Sequence, residues 1–470
     1  MRTQSAPLTR RAFLGAAAGA CAVLSRRGVA APARPNILLV CADQQHGRAL
    51  GFMDPFFDTP ALDRLAREGG RVFTEAFCTT PQCSPSRSTL YTGFYPHHTN
   101  VPGNLDVRRH DGGVVEGMAP KHPTLGKLLG DAGYHMGYFG KWHLGNRDVY
   151  AGQFHESDLD GDAASGATAK AATFLEARAA DPEKPFALFV NYINPHDIYE
   201  ASRRIPSGAA PPEGPPVPHP ASWSETFAGK PPCQECFMRE DQGKFIHGRP
   251  DADWEHYRLI YREKCRLLDR EVGALLGALD RLGLAGNTLV LFTADHGDMD
   301  THHRLVFKGP FMYDQLIRVP LILRMPGAAE KESGAVAEPV SLADVVPTLC
   351  DAAGVPFSGD GQSLLPLLNG EKPPAPRDGV VVQYYGKQQW VNPARTLRAK
   401  DWKYTRWVGQ GEELYDLRND PDELRNLADD PAHAATRDTL RVRLDDWMRR
   451  HDDTAFEESW PTDRQGRHLQ

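Results

Sequence analysis

The sequence has little cysteine for its length, and none of its apolar runs is long enough to cross a bilayer. Eight cysteines among 470 residues do not form a disulfide scaffold of the kind that holds small secreted domains together. We therefore expect most of them to be buried thiols. No internal repeat is visible, and no transmembrane segment is expected.

Acidic residues are absent from residues 1–33, although that segment contains five arginines. The rest of the chain holds 49 basic and 61 acidic side chains, a net charge of −12. A surface this acidic excludes nucleic acid as an expected partner. An anionic substrate therefore requires a locally basic pocket. With 41% hydrophobic residues, the chain is able to bury a large core.

The first 33 residues have the order of an export signal. The pair Arg10-Arg11 precedes a weakly hydrophobic run, Leu14 to Leu24, and small residues at Val29 to Ala33 are suited to cleavage. This order predicts a twin-arginine signal and a periplasmic or secreted protein. The alternatives are a cytosolic extension or, at Cys21, a lipid attachment site.

The only C-x-x-C pattern is Cys233-Gln234-Glu235-Cys236. A second such pair, which a zinc site of this kind would need, does not exist. In an oxidising compartment, the pattern favours a local disulfide over a zinc half-site.

Apolar runs alternate with helical patterns along most of the chain, and the runs are typical of strands buried on both faces of a parallel sheet. The alternation predicts an α/β fold with a large, doubly wound, mainly parallel sheet flanked by helices. The expected strands are 36–41, 134–139, 186–192 and 288–293, and the expected helices begin after Thr59, at Thr124 and near Tyr257.

The pattern changes after a proline-rich break at residues 373–376. Short strands at 379–384, 394–399 and 402–405 and a helix at 437–450 predict a smaller α+β C-terminal subdomain. We therefore expect an export signal at 1–33, a catalytic domain at 34–372 and this subdomain at 373–470. Residues 205–232, rich in proline and glycine, predict a surface loop that frames the active site.

Two aspartates stand where buried strands end. Asp43 follows the first strand, and Asp295 follows a strand more than two hundred residues later. Because functional groups collect at the carboxyl ends of parallel strands, we expect these two side chains to lie together.

The most informative segment is Cys83-Ser84-Pro85-Ser86-Arg87, followed by Leu90-Tyr91-Thr92-Gly93. It matches C-x-P-S-R, which the formylglycine-generating enzyme recognises, and it resembles the type I sulfatase family of the alkaline phosphatase superfamily. The resemblance implies that this enzyme is a maturation partner and converts Cys83 to formylglycine. A lone cysteine near a helix start, such as Cys78, would more often be a buried thiol.

The resemblance extends over nearly the whole chain after residue 33. Segments similar to the family occur at 36–43, 137–145, 195–196, 293–298, 308, 318–321 and 413–423. The implied metal ligands are Asp43, Gln44, Asp295, His296 and the modified Cys83. Oxygen-rich ligation favours Ca²⁺, and the imidazole leaves Mg²⁺ or Mn²⁺ as alternatives.

The resemblance also implies a role for each remaining site residue. Arg87 is expected to hold the nucleophile and the ligands, while Lys141 and Lys308 neutralise sulfate oxygens. A hydrated aldehyde derived from Cys83 would attack sulfur, and His143 would take a proton from its second hydroxyl. His196 would contact the sulfate and protonate the leaving oxygen. His302 and His303 receive no firm role.

These features predict metal-assisted hydrolysis of a sulfate ester, with a sulfated carbohydrate as the expected substrate class. Many family members have Asp at the position of Gln44 and Asn at that of His296. Phosphonate monoester and phosphodiester hydrolases of the family resemble the arrangement found here, so they form the main alternative. A catalytically silent metal-binding protein is a further alternative, although it has no need of Cys83 beside Arg87. The pocket rim is expected at Asn104 to Arg109 and Tyr199.

Overall fold

The computed structural model describes residues 34–453, apart from residues 106, 108–112, 160–165, 374 and 388–389. The predicted export signal and Cys21 lie outside the described residues. The strands are β1 Asn36–Asp43, β2 Gly70–Phe73, β3 Ala76–Phe77, β4 His135–Gly140, β5 Glu156–Asp158, β6 Phe186–Pro195, β7 Thr288–Ala294, β8 Leu321–Arg324, β9 Gly334–Val336, β10 Val340–Ser341, β11 Gly379–Lys387, β12 Trp390–Ala399, β13 Trp402–Trp407 and β14 Gly411–Asp416.

Helices connect most of these strands and cover the main sheet. They are α1 Pro60–Arg67, α2 Cys83–Thr92, α3 Pro96–Thr99, α4 Leu125–Asp131, α5 Arg147–Ala151, α6 Ala167–Ala180, α7 Ile198–Ser202, α8 Pro232–Glu240, α9 Asp251–Arg281, α10 Asp314–Ile317, α11 Val345–Ala352, α12 Leu365–Leu368 and α13 Ala434–Arg450.

The main sheet has eight strands in the order β5-β4-β6-β1-β7-β8-β2-β9. The five strands from β5 to β7 are parallel, β8 is antiparallel to both of its neighbours, and β9 is parallel to β2. All eight residues of β1 are buried, as expected for a central strand covered on both faces. The predicted α/β fold with a mainly parallel sheet is confirmed.

The N-terminus of α1 is capped by a side chain of α9 and not by the hydroxyl of Thr59, the residue before the helix. Thr59 Oγ1 accepts from the backbone N–H of Gly51 at 2.7 Å and makes no capping bond to the helix. Asp269, on α9, accepts instead from the N–H groups of Ala61 at 3.0 Å and Leu62 at 2.8 Å. A carboxylate two hundred residues away therefore satisfies the free amides of this short helix.

The C-terminal strands form a separate antiparallel sheet in the order β11-β12-β13-β14, and α13 packs against β12 and β13. The predicted smaller α+β C-terminal subdomain is confirmed, and the structure shows that its sheet is antiparallel. The division at residue 372 stays a prediction. Buried ion pairs from Lys403 and Arg398 to Asp314 connect this sheet to the segment before β8.

The prediction of a disulfide between Cys233 and Cys236 is wrong. Both thiols are free and lie on α8, where Cys233 is buried and Cys236 is half-buried. The helix directs Cys233 Sγ towards the Pro310 carbonyl, 3.8 Å away. The expectation of mostly buried thiols is otherwise confirmed for the described cysteines.

In the described part of the chain, no helix combines the length and apolar character that a membrane span requires. Residues 205–231 form the predicted loop, interrupted only by a short 3₁₀ turn at Ala221–Ser224, and residue 232 already begins α8.

Candidate active site

Four adjacent parallel strands deliver the central residues of the site to one edge of the sheet. In the pairing register, Gly140 of β4 lies opposite Asn191 of β6, and Ala42 of β1 lies opposite Ala294 of β7. The residues that follow these strand ends are Lys141, His196, Gln44 and Asp295, and Asp43 is the last residue of β1. The predicted meeting of Asp43 and Asp295 is therefore a consequence of strand order.

Cys83 is the first residue of α2, and its thiol faces this edge. Its Sγ lies 3.7 Å from Asp43 Oδ1 and 3.4 Å from His296 Nε2. The next residue fixes the helix start: Ser84 N–H donates to Asn104 Oδ1 at 3.0 Å, and Ser84 Oγ donates to the His143 carbonyl at 2.7 Å. The residue next to Cys83 is thus hydrogen-bonded to two other segments of the chain, those that contain Asn104 and His143.

Two buried lysines surround the thiol with positive charge. Lys308 Nζ lies 2.7 Å from Cys83 Sγ, and Lys141 Nζ lies 3.7 Å from it. Burial opposes ionisation of the thiol, but these two charges outweigh that effect and hold the pKa of Cys83 well below its usual value. The pocket therefore favours an anion at this position.

The two carboxylates have different neighbours. Asp43 Oδ2 lies 2.5 Å from Lys141 Nζ, and despite complete burial the surrounding cations hold the Asp43 pKa well below its usual range. Burial and the nearby Asp43 charge raise the pKa of Asp295. A cation placed between the carboxylates would relieve their repulsion.

The donor atoms at this edge fit a divalent cation. Ligand atoms of Asp43, Cys83, Asp295 and His296 all lie within 4.8 Å of one another, and all four residues are buried. His296 Nδ1 lies 2.8 Å from the Gly297 carbonyl and so carries the proton, which leaves the lone pair of Nε2 facing the cluster. This orientation suits a metal ligand.

Gln44, the residue after Asp43, has a fully buried side-chain amide. Its backbone has a φ of 73°, and its N–H donates to Asp295 Oδ1 at 3.1 Å. Its Oε1 is buried and has no hydrogen-bond partner among the described residues. A buried acceptor without a partner is costly unless a ligand satisfies it, so Gln44 fits the same cation.

Arg87, fully buried on α2, bonds a residue of β6 and the residues that follow β4 and β7. Its Nε donates to Asp295 Oδ2 at 2.9 Å, and its Nη1 donates to the Lys141 carbonyl at 3.0 Å and to Asn191 Oδ1 at 3.1 Å. A planar guanidinium is suited to holding several acceptors in a fixed geometry.

The backbones of the two predicted histidines are hydrogen-bonded to residues in or next to the cluster, His143 to Ser84 and His196 to Asp43. His196 follows a cis Asn194–Pro195 bond, and its backbone N–H donates to the Asp43 carbonyl at 3.2 Å. Burial and the charge of Lys141 lower the pKa of its half-buried ring well below the usual value. His143 has a φ of 55°, and its Nδ1 is buried without a partner in the described region.

His303 does not face the cluster. Its Nδ1 pairs with Glu225, and its ring stacks on Tyr313 at a centroid distance of 3.7 Å. His302 lies on the same 3₁₀ turn, and burial lowers the pKa of its ring well below the usual value. Tyr199, which was expected at the rim, stands with its ring 5.0 Å from His196 and 5.7 Å from Lys308 Nζ.

Two further groups were not identified from the sequence. Lys387, on β11, reaches the Lys308 carbonyl at 2.7 Å. Asp298 accepts from Gln44 Nε2 at 2.7 Å. Asp298 stands within the matched segment 293–298, so its position was a signal for a role at the site, whereas nothing in the local sequence distinguishes Lys387.

Comparison with known proteins agrees with this arrangement. The family model described as Sulfatase matches residues 35–355, and a model described as N-sulphoglucosamine sulphohydrolase, C-terminal, matches residues 302–450. The chain is 30% identical over 453 residues to a Delta 4,5-hexuronate-2-O-sulfatase of Bacteroides thetaiotaomicron, covering 91% of this chain and 92% of the relative.

Solved structures share the fold. A 2-O GAG sulfatase superposes with a TM-score of 0.77 at 28% identity, covering 89% of this chain and 93% of that one. The phosphonate monoester hydrolase of Agrobacterium radiobacter has a TM-score of 0.72 at 24% identity, with coverages of 89% and 96%, and so shares the fold alone. Because the Sulfatase model covers more than half of the chain, the protein belongs to the sulfatase family and is a sulfuric ester hydrolase.

Proposed function

We propose that this sulfuric ester hydrolase cleaves a sulfate ester on a saccharide and that Cys83 acts in its formylglycine form. The observation that carries the proposal is the position of Cys83 Sγ, between Lys308 and Lys141 and beside Asp43. In the mature enzyme this sulfur stands for an oxygen of formylglycine. The names of the relatives, a hexuronate sulfatase and a GAG sulfatase, support a saccharide substrate.

The site residues divide the work as follows. Formylglycine formed from Cys83 would supply an oxygen nucleophile, and a bound divalent ion would supply charge neutralisation. Lys141 and Lys308 bind the sulfate oxygens, since both ammonium groups face Cys83. His143 would accept a proton from hydrated formylglycine through Nδ1, which is buried without a partner among the described residues. His196 would donate a proton to the leaving oxygen once the negative charge of the bound sulfate offsets the burial and the Lys141 charge that hold its pKa low.

We assign the metal to Asp43, Gln44, Asp295, His296 and the modified Cys83, with Arg87 holding the two carboxylates in place. Three of the donors are carboxylate or amide groups, which favours Ca²⁺ over softer ions. Mg²⁺ and Mn²⁺ are the alternatives, because His296 adds an imidazole.

Phosphonate monoester or phosphodiester hydrolysis is the second candidate activity. Gln44 and His296 bring no carboxylate to the site, so only Asp43 and Asp295 place carboxylates around the cation and the ion retains more of its positive charge. A phosphonate monoester or phosphodiester carries the same single negative charge as a sulfate ester but spreads it over two instead of three non-bridging oxygens, and a more positive ion stabilises that denser charge. A silent binding protein is disfavoured, because a protein that only binds metal does not need buried lysines around Cys83.

A substrate panel separates these activities. Protein with verified formylglycine is assayed on 2-O-sulfated and 6-O-sulfated saccharides, an aryl sulfate, an aryl phosphonate and a phosphodiester, with Cys83→Ala as the blank. We expect the highest kcat/KM on a sulfated saccharide. A higher kcat/KM on the phosphonate or the diester would replace the proposed substrate class, and no turnover of any substrate would favour the silent protein.

We further propose that the protein is exported through its twin-arginine signal and acts in the periplasm or outside the cell. The order of Arg10-Arg11, an apolar run and small residues supports this location. The formylglycine-generating enzyme is the proposed maturation partner, because the C-x-P-S-R sequence is complete at Cys83.

A further inference from the structure

A buried carboxylate stands immediately behind the metal-ligand cluster. Asp298 accepts from the backbone N–H of Asp300 at 2.7 Å through Oδ1 and from Gln44 Nε2 at 2.7 Å through Oδ2. The Tyr257 hydroxyl lies 2.9 Å from Oδ1 and 3.1 Å from Oδ2. Asp298 is completely buried, so its charge is balanced by these donors.

These contacts fix the orientation of the Gln44 amide. An ionised carboxylate only accepts hydrogen bonds, so the Gln44 group that faces Asp298 must be Nε2. Gln44 Oε1 is then directed elsewhere, and it is buried without a partner among the described residues. Rotation of the amide by half a turn would bring two oxygens together at hydrogen-bond distance, which is strongly unfavourable.

We propose that Asp298 is a positioning residue for the metal, which fixes the Gln44 amide so that Oε1 and not Nε2 faces the ion. The inference rests on the proposed function in one respect, the assignment of Gln44 as a ligand. This orientation explains how an amide can act as a metal ligand beside Asp43. The Asp298 carboxylate accepts from the amide N–H and polarises the amide, which makes the amide oxygen a better electron-pair donor to a cation.

Asp298→Asn reverses this orientation with almost no change of shape. The N–H of Asp300 is a fixed backbone donor, so the oxygen of the introduced asparagine must occupy the Oδ1 position. The NH₂ group of that asparagine then faces Gln44, whose amide must turn to present Oε1 to it and Nε2 to the ion. We expect the affinity for Ca²⁺ to fall by about 10-fold to 100-fold, as for other groups that orient metal ligands.

A double substitution tests the orientation directly. When Gln44→Glu is combined with Asp298→Asn, the NH₂ group of the introduced asparagine donates to the introduced glutamate carboxylate, and an oxygen faces the ion again. We expect the Ca²⁺ affinity to return to at least the wild-type value. The matched control is Asp269→Asn, a buried Asp on α9 that accepts from Ala61 and Leu62 far from the cluster along the chain.

The measurement is the Ca²⁺ retained by the purified enzyme against a graded series of EGTA, with the thermal midpoint of each variant recorded without Ca²⁺. A purely structural Asp298 would lower the midpoint and leave the Ca²⁺ affinity unchanged, which overturns the proposal. Equal Ca²⁺ loss in the single and double variants also overturns it. If Asp43→Ala retains Ca²⁺ like the wild type, the assignment of the metal ligands fails. That result distinguishes failure of the metal assignment from failure of the role proposed for Asp298.

Discussion

Lys387, the last residue of β11, places its ammonium group 2.7 Å from the backbone carbonyl of Lys308. The same nitrogen lies 3.0 Å from the Tyr199 hydroxyl and 2.5 Å from Gln242 Oε1. The C-terminal sheet thus holds the segment that carries a proposed sulfate-binding lysine. Because all three partners are neutral, the charge of Lys387 has no buried counter-ion among them.

Replacement of Lys387 by Met should reduce the pH dependence of stability. Burial, assisted by the charge of Lys308, lowers the pKa of Lys387 to about 7. Between that pH and the ordinary lysine pKa of about 10.4, the unfolded chain binds a proton that the folded chain does not, so this group makes stability rise with pH. Urea midpoints at pH 7, 8 and 9 should show a smaller rise for Lys387→Met, while exposed Lys127→Met keeps the wild-type rise. Equal slopes in all three proteins would contradict the expectation.

Cys83 should carry the formylglycine modification in active protein. The peptide that contains it is expected to have lost H₂S and gained an oxygen atom when the maturation enzyme is present. Cys83→Ala should keep the fold and lose turnover by about three orders of magnitude or more, as when other nucleophiles are removed. Cys78→Ala is the control, since this buried thiol is not among the contacts of the cluster. An unmodified Cys83 thiol in fully active protein would exclude the mechanism.

Asp43→Ala and Asp295→Ala should each abolish metal retention and activity, because each removes a charged ligand from a buried site. Metal content after dialysis, measured by mass spectrometry, checks this. Asp269→Ala removes a buried carboxylate that caps α1, so it should cost about 1 kcal/mol of stability and leave the metal bound. Retention of a full equivalent of metal by either ligand variant would refute the assignment.

Replacement of Arg10 and Arg11 by Lys should leave the precursor in the cytoplasm, because the twin-arginine route recognises the paired guanidinium groups. Cell fractionation and immunoblotting measure the distribution. The matched control replaces Arg26 and Arg27, which follow the apolar run, and should be exported normally. Normal export of the Arg10 and Arg11 variant would point to another route.

The sequence predicted those parts of the fold that depend on local pattern. The apolar runs located β1 and β7, and the rule that polar groups collect at parallel strand ends brought Asp43 and Asp295 together. The strand order, in which β6 lies beside β1, is a tertiary property with no local signal. The helix that was predicted from Tyr257 begins at Asp251, because its first turn packs Trp254 into the core although the local sequence is polar.

Groups that act across long sequence distances were the ones that sequence patterns missed. Asp269 caps α1 from α9, and Lys387 reaches Lys308 from the C-terminal sheet. Each is a single polar residue inside an otherwise ordinary helix or strand. The disulfide prediction failed although the Cys233–Cys236 spacing is local, since both residues lie on α8 with free thiols and the spacing alone does not decide whether they pair.

Arg87→Lys should separate the geometric role of Arg87 from its charge. The guanidinium bonds Asp295, the Lys141 carbonyl and Asn191 from two different nitrogens, and a lysine has only one nitrogen on a stem without the planar fork. At least one buried acceptor therefore loses its partner, at a cost of about 1–3 kcal/mol.

We expect a lower free energy of unfolding without metal, together with weaker Ca²⁺ binding, because Asp295 is no longer held in place. Arg395→Lys is the matched control. Arg395 is also buried and donates to Asp453 from two nitrogens, but it lies on β12 of the C-terminal sheet. It should lose a similar amount of stability and keep the wild-type affinity for Ca²⁺. Equal Ca²⁺ affinity in both variants would show that the lysine charge alone is enough to hold Asp295, and that the planar fork contributes only to stability.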